Sequence, residues 1–154
     1  MTVKEVARIL LYQNKGGFRA DLKELYGRIA DLRGSNTELS SVSLKLAIPA
    51  NRGNSSTVEI CVIKNCTLLG LEVHAREMER FINRLESAVA TLPEKEKQVI
   101  SLRYFNRKNT AMEFFYIAAE MNYSEDWCKE LNKRALEILA VELHGVQVTW
   151  GEND

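Results

Sequence analysis

The sequence predicts an all-α protein: a long helical hairpin or coiled coil, followed by three short helices whose last two meet at a tight turn. Three observations point there. Apolar residues recur three and four apart over most of the chain. Leu68, Leu71, Ala75, Met78, Ile82, Leu85, Val89 and Leu92 hold that spacing through four uninterrupted heptads. After Pro93, residues that start and stop helices follow one another at short intervals. With 154 residues, 45% of them apolar, the chain suffices for one domain, or a small domain plus an extended helical element.

Taken in order, Thr2 and Glu5 form a capping-box pattern ahead of Val3, Val6, Ile9 and Leu10 at helical spacing. Gly16-Gly17 interrupts or kinks this helix, because two interior glycines cost ~2 kcal/mol against alanine. Phe18, Leu22, Leu25, Ile29 and Leu32 stripe a second helix, with Gly34 its expected C-cap. Residues 35–56, rich in Ser, Asn and Gly, are expected to form a long loop. Within it Val42, Leu44, Leu46 and Ile48 alternate as a short strand would. Ser56 and Glu59 give a second capping box, from which a helix is expected to reach Leu92, about 55 Å away at 1.5 Å per residue. Its heptad stripe suits a seam between two chains or the core of an intrachain hairpin with residues 18–32. The two are compatible, because hairpins can dimerise into a four-helix bundle.

Pro93 suits the first turn of the next helix, whose apolar positions are Val99, Ile100, Leu102 and Tyr104. "FNRKN" breaks the pattern at 105–109. Thr110 and Glu113 form a third capping box, opening a helix through Met121 with Phe114, Ile117, Ala118 and Met121 inward. The small Ala118 and Ala119 sit where its partner helix must come close. Asn122 suits a left-handed turn, and Ser124 caps a last helix with Cys128, Leu131, Ala135, Ile138 and Leu139 inward. After Gly145, "VQVTW" alternates like a short strand. The organisation is then a hairpin or coiled-coil oligomerisation region over 1–92, a helix-turn-helix domain over 93–143 and a tail over 144–154.

Composition narrows the function classes. Formal net charge is zero, whereas compact DNA-binding domains usually carry a basic excess. Residues 1–33 hold seven Lys/Arg against four Asp/Glu, and residues 94–140 balance at eight against eight. Cys61, Cys66 and Cys128 lack metal-ligand spacing and are expected to be reduced thiols. Two histidines, His74 and His144, assemble no zinc site, and Gly16-Gly17 lacks the Lys-Ser/Thr of a phosphate loop. No catalytic set is recognisable, so neither an enzyme nor a cofactor is expected. No apolar run approaches ~20 residues and the first residues form no signal peptide, so the expectation is a soluble protein in the cytoplasm of a bacterial host cell.

"LPEKEKQVISLRY" at 92–104, "IAAEMNYS" at 117–124 and "CKELNKRALEIL" at 128–139 resemble the promoter-reading region 4 of bacterial sigma factors. There Leu-Pro-x-x-x-x-x-Val-Ile-x-Leu-Arg-Tyr leads into an Ile-Ala-x-x-Leu-x-Tyr-Ser turn and a recognition helix ending Ala-Leu-x-x-Leu. The motifs span about residues 92–140. With its long helical region in front, the whole chain resembles phage and prophage transcriptional regulators of the ArpU/RinA type, the N-terminal part in architecture alone. Two departures stand out. The family commonly has arginine or another donor early in the recognition helix, where this chain has Glu125-Asp126. Tyr104 and Ile117 lie further apart than in the family by about four residues, one helical turn, which is read as a longer basic loop around "NRKNT".

The resemblance implies a last helix in the major groove, with Glu125, Asp126, Trp127 and Glu130 at base edges and Lys129, Lys133 and Arg134 at phosphates. Asp126 or Glu130 would accept from a cytosine amine, and Trp127 would meet a thymine methyl. Ser124 would cap the helix and touch a phosphate, with Arg103, Arg107, Lys108 and Asn109 as supporting backbone contacts. Plainer readings stand beside these. Trp127 can fill a gap against Tyr123, Glu125 and Asp126 can complement the helix dipole, and the three cations can be a solvated face. The leading expectation is a phage-type regulator, an activator of late genes, binding double-stranded DNA as a homo-oligomer, a dimer favoured, and engaging RNA polymerase. The alternatives are a small terminase subunit for DNA packaging and a protein-interaction module without DNA binding.

Overall fold

The computed structural model describes residues 1–45 and 55–144, with side chains described for 1–34 and 65–143. All its elements are α-helices: α1 (Val3–Asn14), α2 (Gly17–Lys45), α3 (Ser55–Ala90), α4 (Glu94–Tyr104), α5 (Phe114–Met121) and α6 (Glu125–His144). The chain divides into two compact units, one of Met1–Arg19 with the chain from Arg80 onward, the other of Ala20–Glu79.

In the second unit α2 and α3 form a hairpin. Leu25, Ile29 and Ala75 are buried, with Leu22, Leu68, Leu71 and Met78 packed against them. Arg33 pairs with Glu72 at 2.5 Å, and the Tyr26 hydroxyl donates to Glu79. The first half of the heptad stripe is thus used inside the chain. Two expectations change here. Helix α2 runs through Gly34 to Lys45, so Gly34 is not its C-cap and the connection begins later than residue 35. An interior glycine costs only about 1 kcal/mol against alanine, so it stops a helix only where the chain also turns left-handed, and Gly34 has no positive φ. Val42 and Leu44 are accordingly helical rather than extended. Leu46, Ile48 and the "VQVTW" stretch lie outside the described residues.

In the first unit α1 begins with the expected capping box: Thr2 Oγ1 accepts from the Glu5 amide at 3.2 Å, and the Thr2 amide donates to the Glu5 carboxylate at 2.7 Å. The helix ends where Gly16 takes a φ of 74°, a left-handed value that glycine adopts without strain. A Cβ on Gly17 would run into the Tyr12 ring. Gly16 thus ends α1, and Gly17 lets Tyr12 fold back. Tyr12, Phe18 and Phe81 stack edge-to-face.

Two apolar clusters organise the rest. The larger joins Val6 and Leu10 of α1 to Leu85 of α3, Ile100 and Tyr104 of α4, and Leu136, Leu139 and Leu143 of α6. The smaller joins Val99 of α4 and Ile117 and Ala118 of α5 to Cys128 and Leu131 of α6. Because α1 lies against α6, the buried side of α6 takes in Leu136, Ala140 and Leu143, while Ile138, expected inside, is 37% exposed. The single-partner stripe read from the sequence did not include α1. Replacing Leu10 (0% exposed) with alanine should cost about 2–5 kcal/mol in urea denaturation. Leu69→Ala, at a position 60% exposed, should stay within about 0.5 kcal/mol.

Candidate nucleic-acid interface

The site is built by α4, the loop after it, α5 and α6. Glu94 and Glu96 lie in the first turn of α4 and Arg103 in its last, matching the signs of the helix dipole. Pro93 is the residue just before the helix, at φ −54° and ψ 149°, a conformation its ring already favours.

Loop 105–113 is the longer connection expected from the sequence, not an added helical turn. Arg103 closes it: the Arg103 carbonyl accepts from the Met112 amide at 2.9 Å, its guanidinium donates to the Met112 carbonyl at 2.5 Å, and the same group lies 4.1 Å from the Phe114 ring centre. Arg103, expected at a phosphate, is therefore a half-buried bracket. Thr110 and Glu113 do not make the third capping box. The Thr110 carbonyl is taken by the Asn106 side chain at 2.7 Å, and Glu113 precedes α5 with no side-chain cap bond. Arg107 and Lys108 are exposed on this loop.

The turn between α5 and α6 is as the sequence predicts. Asn122 is left-handed at φ 56° and ψ 40°, a conformation that asparagine tolerates better than most residues, and the Tyr123 amide donates back to the Ala118 carbonyl at 3.1 Å. Ser124 then caps α6, its Oγ accepting from the Trp127 amide at 3.2 Å. Ala118 is buried at the crossing, whereas Ala119 faces outward.

On α6 the predicted contact residues lie on the open side. Ser124, Glu125, Asp126, Lys129, Lys133 and Arg134 are exposed, and Glu130 and Trp127 are half-buried. Trp127 and Tyr123 both pack against the smaller cluster. Arg134 lies 5.2 Å from the Trp127 ring centre and 3.2 Å from Glu130 in an i,i+4 pair, joining three predicted residues in one chain. Glu125 and Asp126 occupy the first turn, where the positive end of the helix favours them. Burial, and then the charge of Glu125, push the Cys128 thiol pKa up and keep it protonated. Sequence reasoning missed two features. One is the exposed aromatic pair Phe115 and Tyr116 on α5, whose signal was already present in the inward placement of Ile117 and Ala118. The other is Asn14, which reaches loop 105–113 from α1 and carries no sequence signal. Among the described residues no group of His, Cys, Asp and Glu is placed to hold a metal, and no helix is long and apolar enough to cross a membrane.

A short helix, a left-handed asparagine turn and a serine-capped helix with one open side define a helix-turn-helix protein. Residues 88–140, about a third of the chain, match the family model described as sigma-70, region 4. No curated protein and no solved structure matches the chain. The C-terminal helices are thus a sigma region 4-like helix-turn-helix on an all-α protein.

Two measurements check this local geometry. Ser124→Ala should lower stability by about 0.5–2 kcal/mol in thermal or urea unfolding, while Asn122→Gly, which keeps the left-handed turn, should be near neutral. In thiol labelling read by peptide mass, Cys66, which is exposed, should react in the native protein, and Cys128, which is buried, only after unfolding.

Proposed function

We propose that the protein is a phage-type transcriptional regulator, an activator of late genes, that binds promoter DNA through α6. It would act without catalysis or cofactor in the cytoplasm of a bacterial host, as a homo-oligomer, a dimer favoured, and would engage RNA polymerase as a sigma-like module. The observation that carries this reading is the open side of α6. From Ser124 to Arg134 it presents Lys129, Lys133 and Arg134 to solvent, while its other side is held by α4 and α5. A helix anchored on one side and presenting three cations among the residues of its open side suits a duplex groove, and the region 4 match supports that use.

One observation favours a second reading, a protein-interaction module without DNA binding. Over residues 125–137 the helix carries four carboxylates against three cations, and carboxylates repel phosphate. Selection of bound fragments from genomic DNA with the purified protein separates the two. Specific enrichment that disappears in Lys133→Glu/Arg134→Glu is the expected result, with the salt slope of duplex binding flattened by about 2. Enrichment unchanged in that variant would remove α6 as the reader. No binding by the unaltered protein even at low salt would favour the interaction module.

A further inference from the structure

Loop 105–113 is shaped more tightly than a solvent-facing connection requires. From within, Asn106 donates its side-chain amide to the Arg103 carbonyl at 2.9 Å and the Thr110 carbonyl at 2.7 Å, and accepts from the Lys108 amide at 3.0 Å. Asn109 holds a left-handed φ of 56°. From outside, the last residue of α1 grips the tip: Asn14 Nδ2 donates to the Asn106 carbonyl at 2.9 Å and to Asn109 Oδ1 at 2.7 Å. The two gripped residues flank Arg107 and Lys108, which are exposed and form no ion pair among the described residues.

The ends of the loop are already closed by Arg103 and Met112, so the bonds from Asn14 are not needed to close it. They act at the middle, where they fix the backbone that carries two exposed cations, Arg107 and Lys108. Cations on a mobile loop lose conformational freedom on meeting a phosphate, and a loop ordered beforehand has less to lose. Asn14 lies outside the residues matched to the sigma-70 region 4 model.

We propose that Asn14 is a positioning residue for nucleic acid: it orders loop 105–113 so that Arg107 and Lys108 form a phosphate-contacting site in addition to α6. Helix α1 thereby contributes to duplex binding without touching the duplex. The inference rests on the DNA-binding reading above.

The test is duplex affinity across a salt series for the full chain and its variants. Arg107→Ala/Lys108→Ala should flatten the salt slope by about 2, near 0.9 per phosphate contact. Asn14→Ala should weaken binding about 3–10-fold, the range of one or two hydrogen bonds, and flatten the slope in the same direction. Asn14→Gln, which keeps the amide donor, should recover most of that loss. In the triple variant the Asn14 change should add little, because its effect passes through the two cations. If Asn14→Ala loses helicity by circular dichroism, Asn109→Gly takes its place, removing the acceptor and keeping the left-handed turn. Wild-type affinity and slope in Asn14→Ala, or a loss fully additive with Arg107→Ala/Lys108→Ala, overturns the proposal. The two readings fail distinguishably. Absence of duplex binding by the unaltered protein defeats both. Binding that is lost in Lys133→Glu/Arg134→Glu and untouched in the Asn14 variants defeats only this one.

Discussion

The one-sided burial of α6 is the constraint on which the rest of the structure depends. Cys128, Leu131, Ala135, Leu139 and Ala140 are at most 1% exposed, and full burial of a leucine-sized side chain stabilises by about 1.5–3 kcal/mol. The two clusters share the helix along its length, the smaller at its N-terminal half and the larger further on. α4 contributes to both, through Val99 to one and Ile100 to the other. Anchored this way, α6 cannot rotate without exposing several large apolar side chains. The identity of the residues on its open side is therefore fixed by packing rather than by their own interactions.

That open side is electrostatically mixed, and magnitudes decide how much this matters. Arg134 is held by Glu130 and lies against the Trp127 ring. An exposed i,i+4 pair is worth about 0.3–0.5 kcal/mol, and a cation–π contact at an exposed site about 0.5–1 kcal/mol. Both are small beside a charge-assisted hydrogen bond to a phosphate, worth about 1.5–3 kcal/mol, so Arg134 can exchange partners at modest cost. Glu125 and Asp126 differ, because their charge also favours the helix they begin. Stability of the fold and attraction for an anion pull in opposite directions at the first turn of α6. Arg107 and Lys108, on a loop outside any helix, face no such conflict.

What was legible in the sequence was local. The Thr2 capping box, the left-handed Asn122 and the Ser124 cap are each settled within a few residues by backbone donors seeking acceptors, so the residue types announce them. The same logic misled at Thr110 and Glu113. Their spacing fits a capping box, but Asn106 takes the Thr110 carbonyl and holds that residue in the loop. Gly34 misled for the converse reason, since glycine permits a left-handed stop without compelling one. Non-local facts stayed hidden. That α1 lies on α6, exposing Ile138 and burying Leu143, depends on a contact between chain segments more than a hundred residues apart. The bonds from Asn14 to residues 106 and 109 are of the same kind.

The heptad stripe of α3 shows how such a contact changes a functional reading. Its period suits a seam between chains, yet Leu68, Leu71, Ala75 and Met78 pack with α2 residues of the same chain, and Leu85 and Leu92 lie in the cluster with α1 and α6. An apolar surface can be covered once. Beside it, among the described residues of the hairpin unit, Leu69, Val73 and Tyr26 are the large apolar or aromatic side chains that remain exposed. These lie one helical turn or less off the stripe. A seam drawn on the half-buried members of the stripe, Leu68, Leu71 and Met78, would have to share them with the hairpin that already packs on them.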